Sequence, residues 1–252
     1  MSKSNIEWTE FSWNPTTGCT KISQGCKNCY AEQMAARLHA MGAKGYENNF
    51  KLTLHPERLN EPVGRKKPSI YFVCSMSDLF HDDVPTEYLD KVFTTIANTQ
   101  QHIYQVLSKR PERMRDYFSN RKTPPNVWLG VSVENKKQGI PRIDILREIS
   151  ASIRFLSIEP LLEDLEELDL QGIHWVIVGG ESGAKARRMQ ESWVINIQKQ
   201  CEKSAVPFFF KQWGAFSPDG KKASKSANGK MLDGKIWQEM PSLPNNELPL
   251  FR

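Results

Sequence analysis

The chain has 252 residues, 39% of them hydrophobic and 25% charged, with a net charge of +5 and a pI near 8.9. This is enough chain for one large domain with its own core, at an ordinary globular composition. The apolar runs, such as residues 175–178, fall far short of the roughly 18 residues of a membrane span, and residues 1–10 are polar and acidic, without a secretory pattern; a cytoplasmic protein with no membrane partner is expected.

In chain order, a weak strand is expected near residues 11–16. A helix follows over 30–41, with Met34, Ala35, Leu38 and Met41 on one face, then a second weak strand near 50–54. Residues 69–74 read as a short apolar strand, and 87–97 as a helix with Tyr88, Val92, Phe93 and Ile96 aligned. Strand 102–107 leads into helix 111–118, and strand 126–132 into helix 140–149. Strands 154–158 and 173–178 come next, then helix 191–204 and strand 206–211. Strands alternating with helices predict a parallel sheet, and their near-continuous apolar character predicts burial on both faces.

The expected fold is therefore α/β. It is a (β/α) barrel, complete or partial, of TIM-barrel type over residues 1–216, with a C-terminal extension over 217–252 packed on the barrel. A doubly wound open sheet would use the same elements in another order. The extension begins with turn signals at 217–220 and 233–234, is basic over 221–230 and is Pro-rich from 241 onwards. Trp237 is expected to pack back on the body.

Of five cysteines, three fall within eleven residues, as Cys19, Cys26 and Cys29 in the spacing Cys-x6-Cys-x2-Cys, while Cys74 and Cys201 stand alone. An odd count argues against a disulfide framework, and a tight triplet points to a metal or cluster. Gly18 and Gly25 let the backbone bend around a bulky ligand, and the helix after Cys29 turns its N-terminus toward the thiolates. A structural zinc site takes four ligands, and so does an electron-carrying [4Fe–4S] cluster; three thiols leave one iron open to a substrate or cofactor. The zinc alternative needs a fourth ligand from His39, His55, His81 or Cys74.

A three-cysteine loop after the first strand of a (β/α) barrel is similar to the radical S-adenosylmethionine superfamily. The resemblance implies that the open iron chelates S-adenosylmethionine, whose reductive cleavage gives a 5′-deoxyadenosyl radical. The superfamily's commonest spacing is Cys-x3-Cys-x2-Cys with an aromatic residue before the last cysteine; here the first gap is six and Asn28 holds the aromatic position. More closely, the chain resembles an uncharacterised family of phage and bacterial proteins named for its three-cysteine motif. That likeness rests on Trp13-Asn-Pro, on Tyr30-Ala-Glu after the triplet, and on the segments 75–81, 107–113, 130–134, 157–160, 179–183 and 210–214.

Each clear strand runs into polar residues, which a barrel gathers on one face, where active sites sit. Ser75, Asp78, Lys109, Arg110, Glu134, Glu159, Gly180, Glu181 and Lys211 are the candidates for cofactor or substrate binding. The glutamates suit an amino group or ribose hydroxyls, the cations a carboxylate or phosphate, and Gly179-Gly180 a close backbone approach. Asp78 and Ser108 also suit helix capping. His81 follows an apolar pair and reads as packed. Trp13 and Trp213 suit either stacking on a base or the core. Arg187-Arg188 and the basic run 221–230 suit phosphates or plain solvent. The expected function is a radical S-adenosylmethionine-like enzyme with a [4Fe–4S] cluster, acting on nucleic acid or a nucleotide in modification or repair, with a separate partner protein left open. One alternative is a zinc- or cluster-stabilised nucleic-acid-binding module without catalysis; another is a lyase or transferase that uses the open iron as a Lewis acid.

Overall fold

A computed structural model describes residues 2–242 of the chain. The strands are β1 (Ser2–Lys3), β2 (Phe11–Trp13), β3 (Thr16–Thr17), β4 (Thr53–Leu54), β5 (Ile70–Val73), β6 (Ile103–Ser108), β7 (Val127–Ser132), β8 (Ile153–Ile158), β9 (Trp175–Gly179), β10 (Phe208–Gln212), β11 (Met231–Leu232) and β12 (Lys235–Ile236). The helices are α1 (Tyr30–Ala40), α2 (Thr86–Ala97), α3 (Pro111–Phe118), α4 (Lys136–Arg147), α5 (Glu191–Lys203) and the single turn α6 (Lys225–Asn228).

Seven strands, in the order β2-β5-β6-β7-β8-β9-β10, form a parallel sheet, and β1 adds antiparallel to β2. The sheet curls into a half-barrel, the partial form of the expected barrel. The weak strand expected near 50–54 does not join it. β4 instead pairs antiparallel with β3 outside the main sheet, because the chain folds back beside the segment leaving β2: Cys19 N–H donates to the Phe50 carbonyl (3.1 Å).

Strand parity divides the core. On one face Tyr71, Val73, Val106, Leu129 and Val178 meet the apolar stripes of the helices, such as Leu89, Val92 and Ile96 of α2. On the other face Phe72, Trp128, Phe155, Trp175 and Phe209 form a separate cluster around Trp8, with no helical residue in it. This helix-free face is the hollow of the half-barrel, and Trp8 plugs its floor: its ring lies 4.8 Å from Phe72 and 6.0 Å from Trp175, and its carbonyl accepts a bond from Gln105 Nε2 (3.1 Å). Gly130 is required there, since a Cβ would lie 2.5 Å from the Phe155 ring.

Two connections depart from strand–helix alternation. Between β8 and β9 no helix forms, and Leu161, Leu165, Leu168 and Leu170 bury themselves in the main core in its place. α1 packs through Ala31 and Ala35 on Met76, beside Phe50, rather than on the sheet. Met34 (42% exposed) and Met41 (69%) therefore point outward, against the expected core face.

The extension runs along the free edge of β10. Phe210 N–H donates to the Trp237 carbonyl (2.8 Å) and Glu239 N–H to the Phe208 carbonyl (3.1 Å), which covers that edge. Lys230 and Gln238 then reach across to Glu7 (2.7 Å each). Residues 243–252 of the expected extension lie outside the described residues. Among the described residues, no helix is long and apolar enough to cross a membrane.

Candidate functional site

The cysteine loop leaves β3 and enters α1 at the C-terminal ends of the parallel strands. Its three thiols are partly buried, and none is in a disulfide. Several side chains from the strand ends hold the loop.

Arg110, at the end of β6, reaches Cys19 Sγ (3.6 Å) and the carbonyl and hydroxyl of Thr20 (3.3 and 2.9 Å). Asp78 fixes Arg110: Oδ2 accepts from its guanidinium (3.2 Å) and from Lys109 N–H (3.0 Å), while Oδ1 accepts from Ser108 Oγ and Phe80 N–H. After β7, Glu134 is fully buried under Gly25 and paired with Arg142 of α4 (2.6 Å). Gln138 of α4 accepts from Gln24 N–H (3.0 Å). After β9, Glu181 accepts from Asn28 Nδ2 (3.0 Å) and is held by the Arg187 guanidinium (2.5 Å), which also donates to the Gln24 carbonyl (3.0 Å).

Asp78, Arg110, Glu134 and Glu181 thus contact the loop or its supports. Asn28, Gln138 and Arg142 belong to the same clamp and are not among the binding candidates that the sequence offers. The only local signal was the unusual Asn28 before the third cysteine; nothing in the sequence marks which strand end a helical Gln or Arg will face. The remaining candidates line the mouth of the hollow. Lys109 Nζ donates to Ser132 Oγ (3.1 Å), and Lys211 pairs with Glu159 through both carboxylate oxygens (2.8 Å each). Ser75 Oγ bonds the Asn14 side chain (3.2 Å), and its carbonyl accepts from the Tyr30 hydroxyl. Tyr30 is 57% exposed at this mouth, and the surrounding protein, with the charges of Cys29 and Glu159, holds its phenol above the ordinary value.

Three sequence readings change. The face of Gly180 is filled by the Trp213 carbonyl, so its missing side chain serves packing rather than a ligand. Trp13 and Trp213 are core residues whose indole N–H groups donate to the Arg58 and Met231 carbonyls (2.8 Å each). The expected fourth zinc ligands are engaged elsewhere: Cys74 is buried against Thr16, His55 bonds Thr17, His39 faces the Tyr46 carbonyl, and both nitrogens of His81 are used, by Thr20 Oγ1 (2.9 Å) and Asp83 N–H (3.1 Å).

The electrostatics divide the loop's thiols. Burial opposes ionisation of Cys26, yet the Lys109 charge and hydrogen bonds from Ile22 and Ser23 prevail and lower its thiol below the ordinary value. Burial and the Asp78 charge raise Cys19, against the pull of Arg110. The nearby carboxylates Glu32, Asp78, Glu134 and Glu181 are each paired with a cation. Among the described residues no three His, Cys, Asp or Glu side chains are gathered as a metal-ligand set. The fit to a cluster is therefore one of donor chemistry: three thiols on one loop, beside cations, suit a thiophilic iron–sulfur group more than a hard cation. A cleft of about 750 Å³ opens beside Cys19, between Glu32, Phe50 and His81. One of about 410 Å³ lies on the loop's other side, between Ile22, Lys109 and Arg142.

A family model described as "Protein of unknown function (DUF5131)" matches residues 3–241. No curated protein matches the chain. Among solved structures, a serine-for-cysteine variant of spore photoproduct lyase is similar in fold, with a TM-score of 0.50 at 14% identity. A structure of that lyase with bound AdoMet and dinucleoside spore photoproduct has a TM-score of 0.49 at 14% identity. Both comparisons cover 80% of this chain, and the chain spans 63% of the length of the lyase.

Proposed function

The chain belongs to this DUF5131 family of unknown function, and we propose that it is a radical S-adenosylmethionine-type enzyme acting on nucleic acid or a nucleotide. The observation that carries the proposal is the placement of three free thiols of one loop, clamped by Arg110, Gln138 and Glu181, at the C-terminal mouth of a parallel half-barrel. Cys19, Cys26 and Cys29 would hold a [4Fe–4S] cluster. When bound, such a cluster supplies the electron for reductive cleavage of S-adenosylmethionine, chemistry that belongs to the cofactor rather than to the protein.

The chain's own residues bind, orient and neutralise. Lys109 and Arg110 offset the negative charge of the thiolates; Lys109 makes no ion pair among the described residues, though its charge also acts on Glu134, and its ammonium can receive a carboxylate of the cofactor. Glu134 Oε1, buried without a hydrogen-bond donor among the described residues, offers an acceptor for an ammonium group. Glu159, held by Lys211, offers acceptors for ribose hydroxyls at the mouth. The aromatic floor around Trp8 and Trp175 closes the hollow from below.

The test is anaerobic purification with iron, sulfide and zinc analysis, and spectra before and after adding S-adenosylmethionine. The expected result is about four irons per chain, lost in Cys26→Ala, a spectrum perturbed by the cofactor, and cofactor cleavage only with a reductant. One tightly held zinc without iron would overturn the proposal. Cleavage without need for a reductant would replace it with the Lewis-acid reading.

A further inference from the structure

Two basic segments far apart in sequence meet at one side of the mouth. One is the loop after β9, with Lys185, Arg187 and Arg188; the other is the turn of the extension that carries Lys222 and Lys225. They are stitched together. Lys222 Nζ donates to the Ala184 carbonyl (2.6 Å) and Arg188 to the Pro218 carbonyl (2.7 Å), and the Arg188 guanidinium packs on Gly220. Ala215 N–H donates to the Glu181 carbonyl (2.9 Å) and Ala223 N–H to the Ala215 carbonyl (3.0 Å). The rim continues into the cysteine loop, where Asn28 donates to the Lys185 carbonyl (2.8 Å), next to the exposed Lys27.

The charges on this rim are unbalanced. Arg187, Lys211, Lys221 and Lys230 each have a carboxylate partner. Lys27, Lys185, Arg188, Lys222 and Lys225 have none among the described residues, and the bonds that position Arg188 and Lys222 go to neutral carbonyls. Lys225 lies near Lys211 and Glu159 of the mouth and near Glu7 and Lys230, and burial, with those lysines, holds its ammonium below the ordinary value. Elsewhere on the surface some cations, such as Arg115, Arg121, Lys136 and Arg147, are paired with acids and others, such as Lys66, Lys67, Lys122 and Lys199, are not among the described residues; the rim is set apart by gathering its unpaired cations from two distant segments beside the mouth. Phe216, partly exposed beneath Lys222 (5.7 Å), adds an aromatic ring to the same strip.

We infer that this rim, formed by Lys27, Lys185, Arg188, Lys222 and Lys225, binds the phosphate backbone of a nucleic-acid strand and lays it across the mouth beside the cysteine loop. A group of cations without acidic partners, two of them positioned by neutral carbonyls, gains most by neutralising successive phosphates and releasing their counterions. Such contacts position a strand without reading its sequence. The inference deepens the proposed function by assigning the way its substrate is held, and it rests on that reading for the strand's destination.

Its test does not need the cluster. Binding of a fluorescein-labelled single-stranded oligonucleotide of mixed sequence is followed by anisotropy across a salt series, with the as-purified full-length protein. Binding is expected with a log–log salt slope of about −4, from about −0.7 to −0.9 per neutralised phosphate. In the double variant Lys222→Glu/Lys225→Glu the slope should flatten by about 1–2 and affinity should fall about tenfold or more. Lys91→Glu, on the outer helix α2, should change neither. Iron content and melting temperature of the same samples show that the variants are folded and loaded alike. An oligonucleotide that does not bind, or that binds the double variant and wild type equally, overturns the rim. Absence of iron in all samples overturns the cluster reading alone and leaves the binding result to stand by itself.

Discussion

The two ends of the same hollow are built from opposite materials. At the floor, alternate residues of the strands are large and aromatic, and the Trp175 indole is tied to backbone, its Nε1 donating to the Glu239 carbonyl (2.8 Å). One or two strand repeats higher, the same parity delivers Lys109, Ser132, Glu159 and Lys211, joined to one another rather than to the core. A period-2 strand keeps its side chains on one face along its length, so the change from floor to mouth is written entirely in residue type. The floor is a packing device and the mouth a charge device, and each fails differently.

The largest effect is expected at the floor. Trp175 is fully buried, with Trp8, Trp128, Phe155 and Phe209 around it at 5.8–6.0 Å. Trp175→Ala removes that ring from a helix-free face that no other element can fill, and should cost about 3–5 kcal/mol. Urea unfolding with a two-state fit measures this. Whatever folded protein remains should keep its iron-binding capacity per folded chain. A loss below about 1 kcal/mol would mean that the hollow is not closed by these rings.

The next effect is at the mouth and should separate stability from assembly. Arg142→Met leaves the Glu134 carboxylate buried and, apart from the Lys109 charge, unpaired, beneath Gly25 of the cysteine loop. Breaking one side of a buried pair costs about 3 kcal/mol. Here the strain falls on the loop, so iron per folded chain should drop, unlike in Trp175→Ala. The double replacement Glu134→Gln/Arg142→Met should recover stability, because it removes the stranded charge. If it recovers stability and cluster alike, Glu134 only supports the loop. If it recovers stability alone, the carboxylate itself takes part in binding.

The sequence made the fold more legible than the site. The apolar runs placed six strands of the half-barrel within a few residues, because buried parallel strands are marked by composition alone. They misplaced residues 50–54, where two residues pair with β3 to brace a loop, a role that hydrophobicity does not encode. Met34 and Met41 looked like core because helical periodicity identifies a face but not its partner, and α1 buries only its alanines on Met76. The polar ring was visible as a set, yet the division of labour within it was not. Whether Glu181 meets a ligand or Arg187, and whether Gly180 meets a ligand or the Trp213 carbonyl, depends on loops whose paths the sequence does not state.

Acid should draw the smallest distinction between the two ends. Burial lowers His55, His81, His102 and His174 below the ordinary histidine value of 6.5. The unfolded chain then takes up protons before the folded one does, so stability is full above pH 6.5 and declines as pH falls below it. These residues lie at both ends: His102 and His174 precede β6 and β9, while His55 and His81 flank the cysteine loop. The first decline is therefore common to floor and mouth. The second comes from exposed carboxylates such as Asp90 and from two buried ones, and the buried ones are both at the mouth. Glu134 and Glu181 are buried, which alone would raise them, but their cations win: Lys109 and Arg142 hold Glu134, and the hydrogen bonds of Arg187 hold Glu181, below the ordinary 4.5. Their contribution is present above pH 4.5 and is lost as pH falls through the lowered folded values. Floor and mouth can be followed together by near-ultraviolet circular dichroism of the tryptophans and by the reactivity of the cysteine loop toward a pH-tolerant pyridyl disulfide. Below pH 4.5 the thiols should become accessible while the tryptophan signal persists, and Arg187→Met should move that opening to higher pH without moving the first decline. Simultaneous loss of both signals in wild type and variant would show that the clamp and the floor unfold as one unit, and that the mouth has no separate stability to lose.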